Sequence, residues 1–112
     1  MRPIAVLSVS VEPIEGARVI RATGELDFRT ADRLRVPLNA ARADGVTTLV
    51  DLAGVNFVDA AGLRVLLDAA RDSNKREWPW FIVRPSAAVL RLIELAGAAS
   101  RLPLVAPQPG RA

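Results

Sequence analysis

The chain has 112 residues, 51% of them hydrophobic and 24% charged, which suits one domain built on one core. It contains no cysteine and no histidine, so disulfides, zinc–thiolate sites and thiol catalysis are excluded, and the commonest general base and metal ligand are missing. The net charge of +3 comes from arginines scattered among acids, whereas a nucleic-acid binder needs its charge on one face.

The first segment, "MRPIAVLSVSVEP", lacks the long apolar core and small-residue cleavage site of an export signal. The pairs Ile4, Val6 and Val9, Val11, each spaced by two, predict a strand over 3–11. No window approaches the roughly 18 apolar residues of a membrane span, and the expected location is cytoplasmic, with no membrane insertion. After the turn at 12–16, "ARVIRAT" predicts a second strand over 17–23, closed by Gly24, and the two strands read as a hairpin. An unpaired edge at 3–11 would also allow pairing with a second copy, a homodimer.

Thr30 precedes "ADRLRVPLNAARADG", in which Ala31, Leu34, Leu38 and Ala41 fall on one helical face before Gly45 stops the pattern. Pro37 interrupts this helix and is expected to bend it, because it removes a backbone donor. "TTLVDL" (47–52) predicts a short central strand, and "AGVNFV" leads out of it to Asp59. Leu63, Leu66, Leu67 and Ala70 then form an i, i+3, i+4, i+7 stripe, predicting a helix over 61–72. "WFIV" (80–83) is a further buried strand, and Ser86 caps a helix carrying Val89, Leu92, Ile93 and Ala96 up to Gly97. "LPLV" (102–105) predicts a last edge strand.

The order β-β-α-β-α-β-α-β predicts an α/β domain over 1–106, with a mixed sheet of four to five strands covered by three to four helices. Residues 107–112 are expected to form a disordered tail. In such sheets, sites form where strands end and helices begin. Asp59 and Asp27 occupy two such junctions. From spacing alone, Asp59 reads as an N-cap ahead of Ala60 and Ala61, and Gly62 allows something to approach the backbone closely. Asp27 and Thr30 read as capping residues ahead of the first helix. Phe28 reads equally as an exposed contact or as a buried staple.

Three strings in order, "GELDFRTADRL" (24–34), "VDLAGVNFVDAAGLRVLL" (50–67) and "VRPSAAVLRLIELAG" (83–97), resemble a STAS domain. This fold is shared by bacterial anti-sigma-factor antagonists and the cytoplasmic tails of sulphate transporters. The resemblance implies transcription regulation through a protein–protein interaction. The partner would be an anti-sigma factor that is also a serine kinase of the GHKL ATPase type. Binding would free a sigma factor, and phosphorylation of the antagonist would end the interaction. The family's phosphoacceptor is the serine after aspartate in Asp-Ser-Ser-Gly-Leu. In "DAAGL", Asp59, Gly62 and Leu63 match, while Ala60 stands at the acceptor and Ala61 at its hydroxyl-bearing neighbour. Neither alanine has an oxygen to phosphorylate.

Three explanations stay open: a permanently competent antagonist, a surface turned to another partner, or an engineered serine-to-alanine change. The resemblance also places Asp27, Phe28 and Thr30 beside Asp59, Gly62, Leu63 and Arg64 as the partner-binding set. A different reading makes the chain an accessory STAS subunit of a transporter or stress-signalling complex. A small-anion or nucleotide sensor belongs to that same alternative, its anion seated at the open first turn.

The lead-in "KREWPWFIV" (75–83) departs from the family's glycine-rich pattern. Trp80 is expected to pack on the sheet, and Trp78 is either an exposed aromatic or partly buried under the helix of 61–72. Asp27, Asp51 and Asp59 have neither a nucleophile nor an oxyanion pocket among the residues expected near them, so no enzyme activity, catalytic residue, metal or cofactor is expected.

Overall fold

The computed structural model describes residues 6–105. Strands β1 (Leu7–Ile14) and β2 (Ala17–Leu26) form the predicted hairpin, followed by helix α1 (Ala31–Asp44), strand β3 (Thr48–Val58), helix α2 (Ala60–Arg76), strand β4 (Trp80–Val83) and helix α3 (Ala87–Leu95). A single 3-10 turn, Ala99–Arg101, follows. The sheet order is β1-β2-β3-β4, with β1 antiparallel to β2 and the other two pairs parallel. This is the mixed α/β sheet expected of the element order. Residues 3–5 of the expected first strand, and the expected tail at 107–112, lie outside the described residues.

Three strands run past the ends the sequence predicts: β1 continues through the expected turn to Ile14, leaving a turn at 15–16, and β2 and β3 overrun as well. β2 passes through Gly24 and ends at Leu26. Gly24 adopts φ +117°, and a Cβ there would stand 2.2 Å from the Val6 carbonyl oxygen, so the glycine makes an irregular step rather than a stop. β3 continues through "AGVNFV" because the extended end of β2 keeps pairing with it, from Thr23 opposite Gly54 to Leu26 opposite Val58. The last predicted strand, by contrast, shrinks to one parallel bridge between Leu104 and Ile82.

The pleat sorts the core. Ile20, Val50 and Ile82 lie side by side in register, with Ala22, Leu52 and Trp80 on the same face, and all six are buried. Onto the core α1 brings Ala31, Leu34, Leu38 and Ala41, the face predicted for it. It runs unbroken through Pro37 and ends at Gly45, whose φ of +68° is the left-handed cap glycine adopts without strain. The buried face of α2 is wider than the predicted stripe. Val65 and Ala69 are buried toward Leu38 of α1, while Leu67 is only partly covered. Arg42 and Asp72 pair across the α1–α2 cleft. α3 buries Val89 and Ile93, packs chiefly on β3, and is capped by Ser86 accepting from the Val89 N–H at 3.2 Å.

Candidate functional site at the amino end of helix α2

β2 and β3 end together, and the loop leaving β2 meets the first turn of α2 at Asp59. The Asp59 Oδ1 accepts from the Gly62 N–H at 2.9 Å, which caps α2. Its Oδ2 accepts from the Phe28 N–H at 3.2 Å, thirty-one residues away in the loop after β2. Its own N–H donates to the Leu26 carbonyl at 3.2 Å. One residue therefore caps a helix, fixes a neighbouring loop and closes the strand pair. Spacing shows the first of these roles; the other two join segments far apart in the chain.

Gly62 makes that junction possible. A Cβ at this position would lie 2.4 Å from the Leu26 carbonyl oxygen and 2.8 Å from the Leu26 Cγ. The first turn of α2 thus rests directly on the end of β2. Gly62 and Leu63 are both buried, Leu63 within the main core. On the outer side, Ala60 is exposed, Ala61 half-buried and Arg64 exposed. The sequence-predicted positions therefore divide into a rim and its support.

The loop between β2 and α1 is held by a second aspartate. Asp27 is buried, and its Oδ1 accepts from the Arg29 N–H at 2.9 Å and the Thr30 N–H at 3.2 Å. Its Oδ2 takes the Arg29 guanidinium at 2.8 Å. That side-chain hydrogen bond holds the Asp27 carboxyl below its ordinary pKa, with burial opposing it and the backbone N–H of Arg29 assisting. The Thr30 hydroxyl does not cap α1 as expected. It donates to the Glu25 carbonyl at 2.6 Å and accepts from the Asp27 N–H at 3.0 Å, so it ties the loop to the strand. With both ends anchored, Phe28 projects outward at 75% exposure. Phe28 is therefore exposed, and it is not the buried staple.

Asp51 stands apart from this site. It is buried in β3, accepts from the Ala53 N–H at 3.0 Å, and pairs with Arg21 at 3.3 Å. Its ion pairs go to Arg21 and Arg84, whereas Asp27 holds Arg29 and Asp59 holds the Phe28 and Gly62 N–H groups, so each carboxylate has partners of its own. Trp78 is also buried, its Nε1–H donating to the Val46 carbonyl at 2.9 Å. Arg29 is the participant that sequence reading misses. Only its place two residues after Asp27 hints at it.

Comparison with known proteins identifies the family. An anti-sigma F factor antagonist of Paenibacillus polymyxa is 26% identical over 100 residues, covering 88% of this chain and 86% of its own length. Its counterpart in Lysinibacillus sphaericus is 30% identical over 81 residues, covering 70% of this chain and 69% of its own. The crystal structure of an anti-sigma factor antagonist from Mycobacterium paratuberculosis superposes with a TM-score of 0.79 at 28% identity, over 90% of this chain and 86% of that one. The STAS domain family matches residues 8–108, and the chain belongs to that family.

Proposed function

We propose that the chain is a regulatory binding protein, an anti-sigma-factor antagonist that docks onto an anti-sigma factor with serine kinase character. The docking face is the rim formed by Phe28, Ala60 and Arg64. The single observation that carries this reading is Asp59 joining the Phe28 loop to the first turn of α2, which fixes an exposed aromatic beside the position where family members carry a phosphoacceptor. Aromatic residues and arginine are both enriched at protein interfaces. The names of the two relatives support the antagonist part of this reading.

Ala60 gives the reading its regulatory content. A phosphate at that place would add about −1.5 to −2 charges and three acceptor oxygens to the rim. A methyl group takes no phosphoryl, so a complex formed through this face persists when ATP is present. Control then passes to the amount of protein. The test is titration calorimetry against GHKL-type anti-sigma factors of the same organism, with and without Mg-ATP. A stoichiometric complex that ATP does not dissolve is the expected result, and Phe28→Ala weakens it by at least about tenfold. If none of those factors binds, the proposal falls. Ala60→Ser offered to the same factors with labelled ATP should take up label on the new hydroxyl.

A further inference from the structure

Away from the Asp59 rim, a half-open groove of about 820 Å³ runs between α2 and the segment around the 3-10 turn. Its volume lies within the roughly 300–1,000 Å³ of small-molecule sites. Trp78 and Trp80 form the floor, stacked with centroids 5.5 Å apart and planes 5° from parallel. Leu67, Phe81 and Pro103 add apolar wall, and Phe81 is 39% exposed.

The charge of the groove is one-sided. Arg64, Arg71 and Arg101 line it, against the single carboxylate of Asp68. Asp68 Oδ1 already takes both Arg64, at 3.4 Å, and Arg71, at 2.7 Å. Arg101 has no ion pair or hydrogen-bonded side-chain partner among the described residues, and it is exposed at the end of the 3-10 turn. An apolar floor with surplus guanidinium at its rim is complementary to one chemical class, a small organic anion with an apolar body.

We propose that this groove is a ligand site for an amphiphilic organic anion, whose apolar body lies against Leu67, Phe81 and Pro103 and whose anionic head meets Arg101 and Arg71. The site does not depend on the docking reading, although Arg64 borders both surfaces. Arg101 lies in a different element from the rim and therefore separates the two proposals.

The chain's only two tryptophans are in the groove, so intrinsic fluorescence reports on it without a label. The probe is 1-anilinonaphthalene-8-sulfonate, compared with N-phenyl-1-naphthylamine, which keeps the rings and lacks the sulfonate. Saturable energy transfer from tryptophan at one sulfonate per chain is expected, with at least about tenfold weaker binding of the neutral compound. Arg101→Gln should lower sulfonate affinity by about tenfold and leave both the neutral compound's affinity and the urea midpoint unchanged. Equal affinity for the two compounds, or an Arg101→Gln protein that binds the sulfonate as before, overturns the proposal. So does sedimentation showing that a second copy of the chain covers the groove in solution.

Discussion

Asp59 makes two side-chain hydrogen bonds to separate segments, and replacing it by alanine or asparagine distinguishes them. Alanine removes both. Loss of an aspartate N-cap costs about 1 kcal/mol. The bond to the Phe28 N–H lies at the exposed edge of the junction, so its share belongs at the low end of the usual range, about 0.5 kcal/mol. Asp59→Ala should therefore destabilise by about 1.5 kcal/mol, which for a domain of this size lowers Tm by roughly 5–8 °C. Asparagine keeps one carbonyl oxygen, which goes to the shorter bond, the cap at Gly62. Its amide then turns a donor toward the Phe28 N–H, and the loop comes free. Asp59→Asn should lose less than about 1 kcal/mol of stability while amide exchange at Phe28 accelerates. Urea unfolding gives the first quantity and hydrogen exchange the second. An alanine variant within about 0.3 kcal/mol of the parent would refute the two-bond account, and so would an asparagine variant whose Phe28 amide stays as protected as before.

Particular contacts set three further outcomes. Gly62→Ala would gain about 1 kcal/mol from helix propensity alone, but the new methyl meets the Leu26 carbonyl at 2.4 Å, and overpacking costs about 1–3 kcal/mol; the net change in urea should be destabilising. Asp27 titrates below its ordinary value when folded, so the stability it contributes is present above the unfolded value of about 3.9 and is lost as pH falls through that value toward the folded one. Asp27→Asn should flatten the acid limb of a plot of urea midpoint against pH, and an unchanged limb would place the acid sensitivity elsewhere. Trp78→Phe removes the donor to the Val46 carbonyl and should cost about 1–2 kcal/mol, read by the same unfolding assay.

The sequence makes some of this molecule legible and hides the rest for identifiable reasons. Helix faces and some helix ends are readable because they are local: the Ala31–Ala41 face, the Ser86 cap, and the Gly45 stop each depend on residues within two or three turns, whereas the cap expected of Thr30 is lost because its hydroxyl turns to the Glu25 carbonyl. Strand lengths are not. "AGVNFV" looks like a connection because it contains alanine, glycine and asparagine, yet β2 holds it extended across the sheet. Gly54 suits that pairing, since a Cβ there would lie 2.7 Å from the Thr23 hydroxyl. α2 likewise outruns its predicted end because Glu77, at φ +55°, takes the left-handed turn usually expected of glycine or asparagine. At the site, Asp59 as a cap is legible and Asp59 as the fastener of the Phe28 loop is not, because a contact across thirty-one residues leaves no periodic trace.

The burial pattern also decides what a hydroxyl at the acceptor position can test. Gly62 and Leu63 are internal, so changes there act through the fold before they act on any partner. Ala60 is exposed in the first turn, its methyl contributing little to the core, and folding does not demand alanine at that place. A serine there should change stability by no more than about 0.5 kcal/mol, the usual span for a surface substitution. A kinase-type partner that binds the parent chain but leaves Ala60→Ser unlabelled would therefore be failing in recognition or geometry, with the scaffold intact. Labelling of the serine, followed by release of that partner, would show that a single missing oxygen separates a switchable docking face from a permanent one.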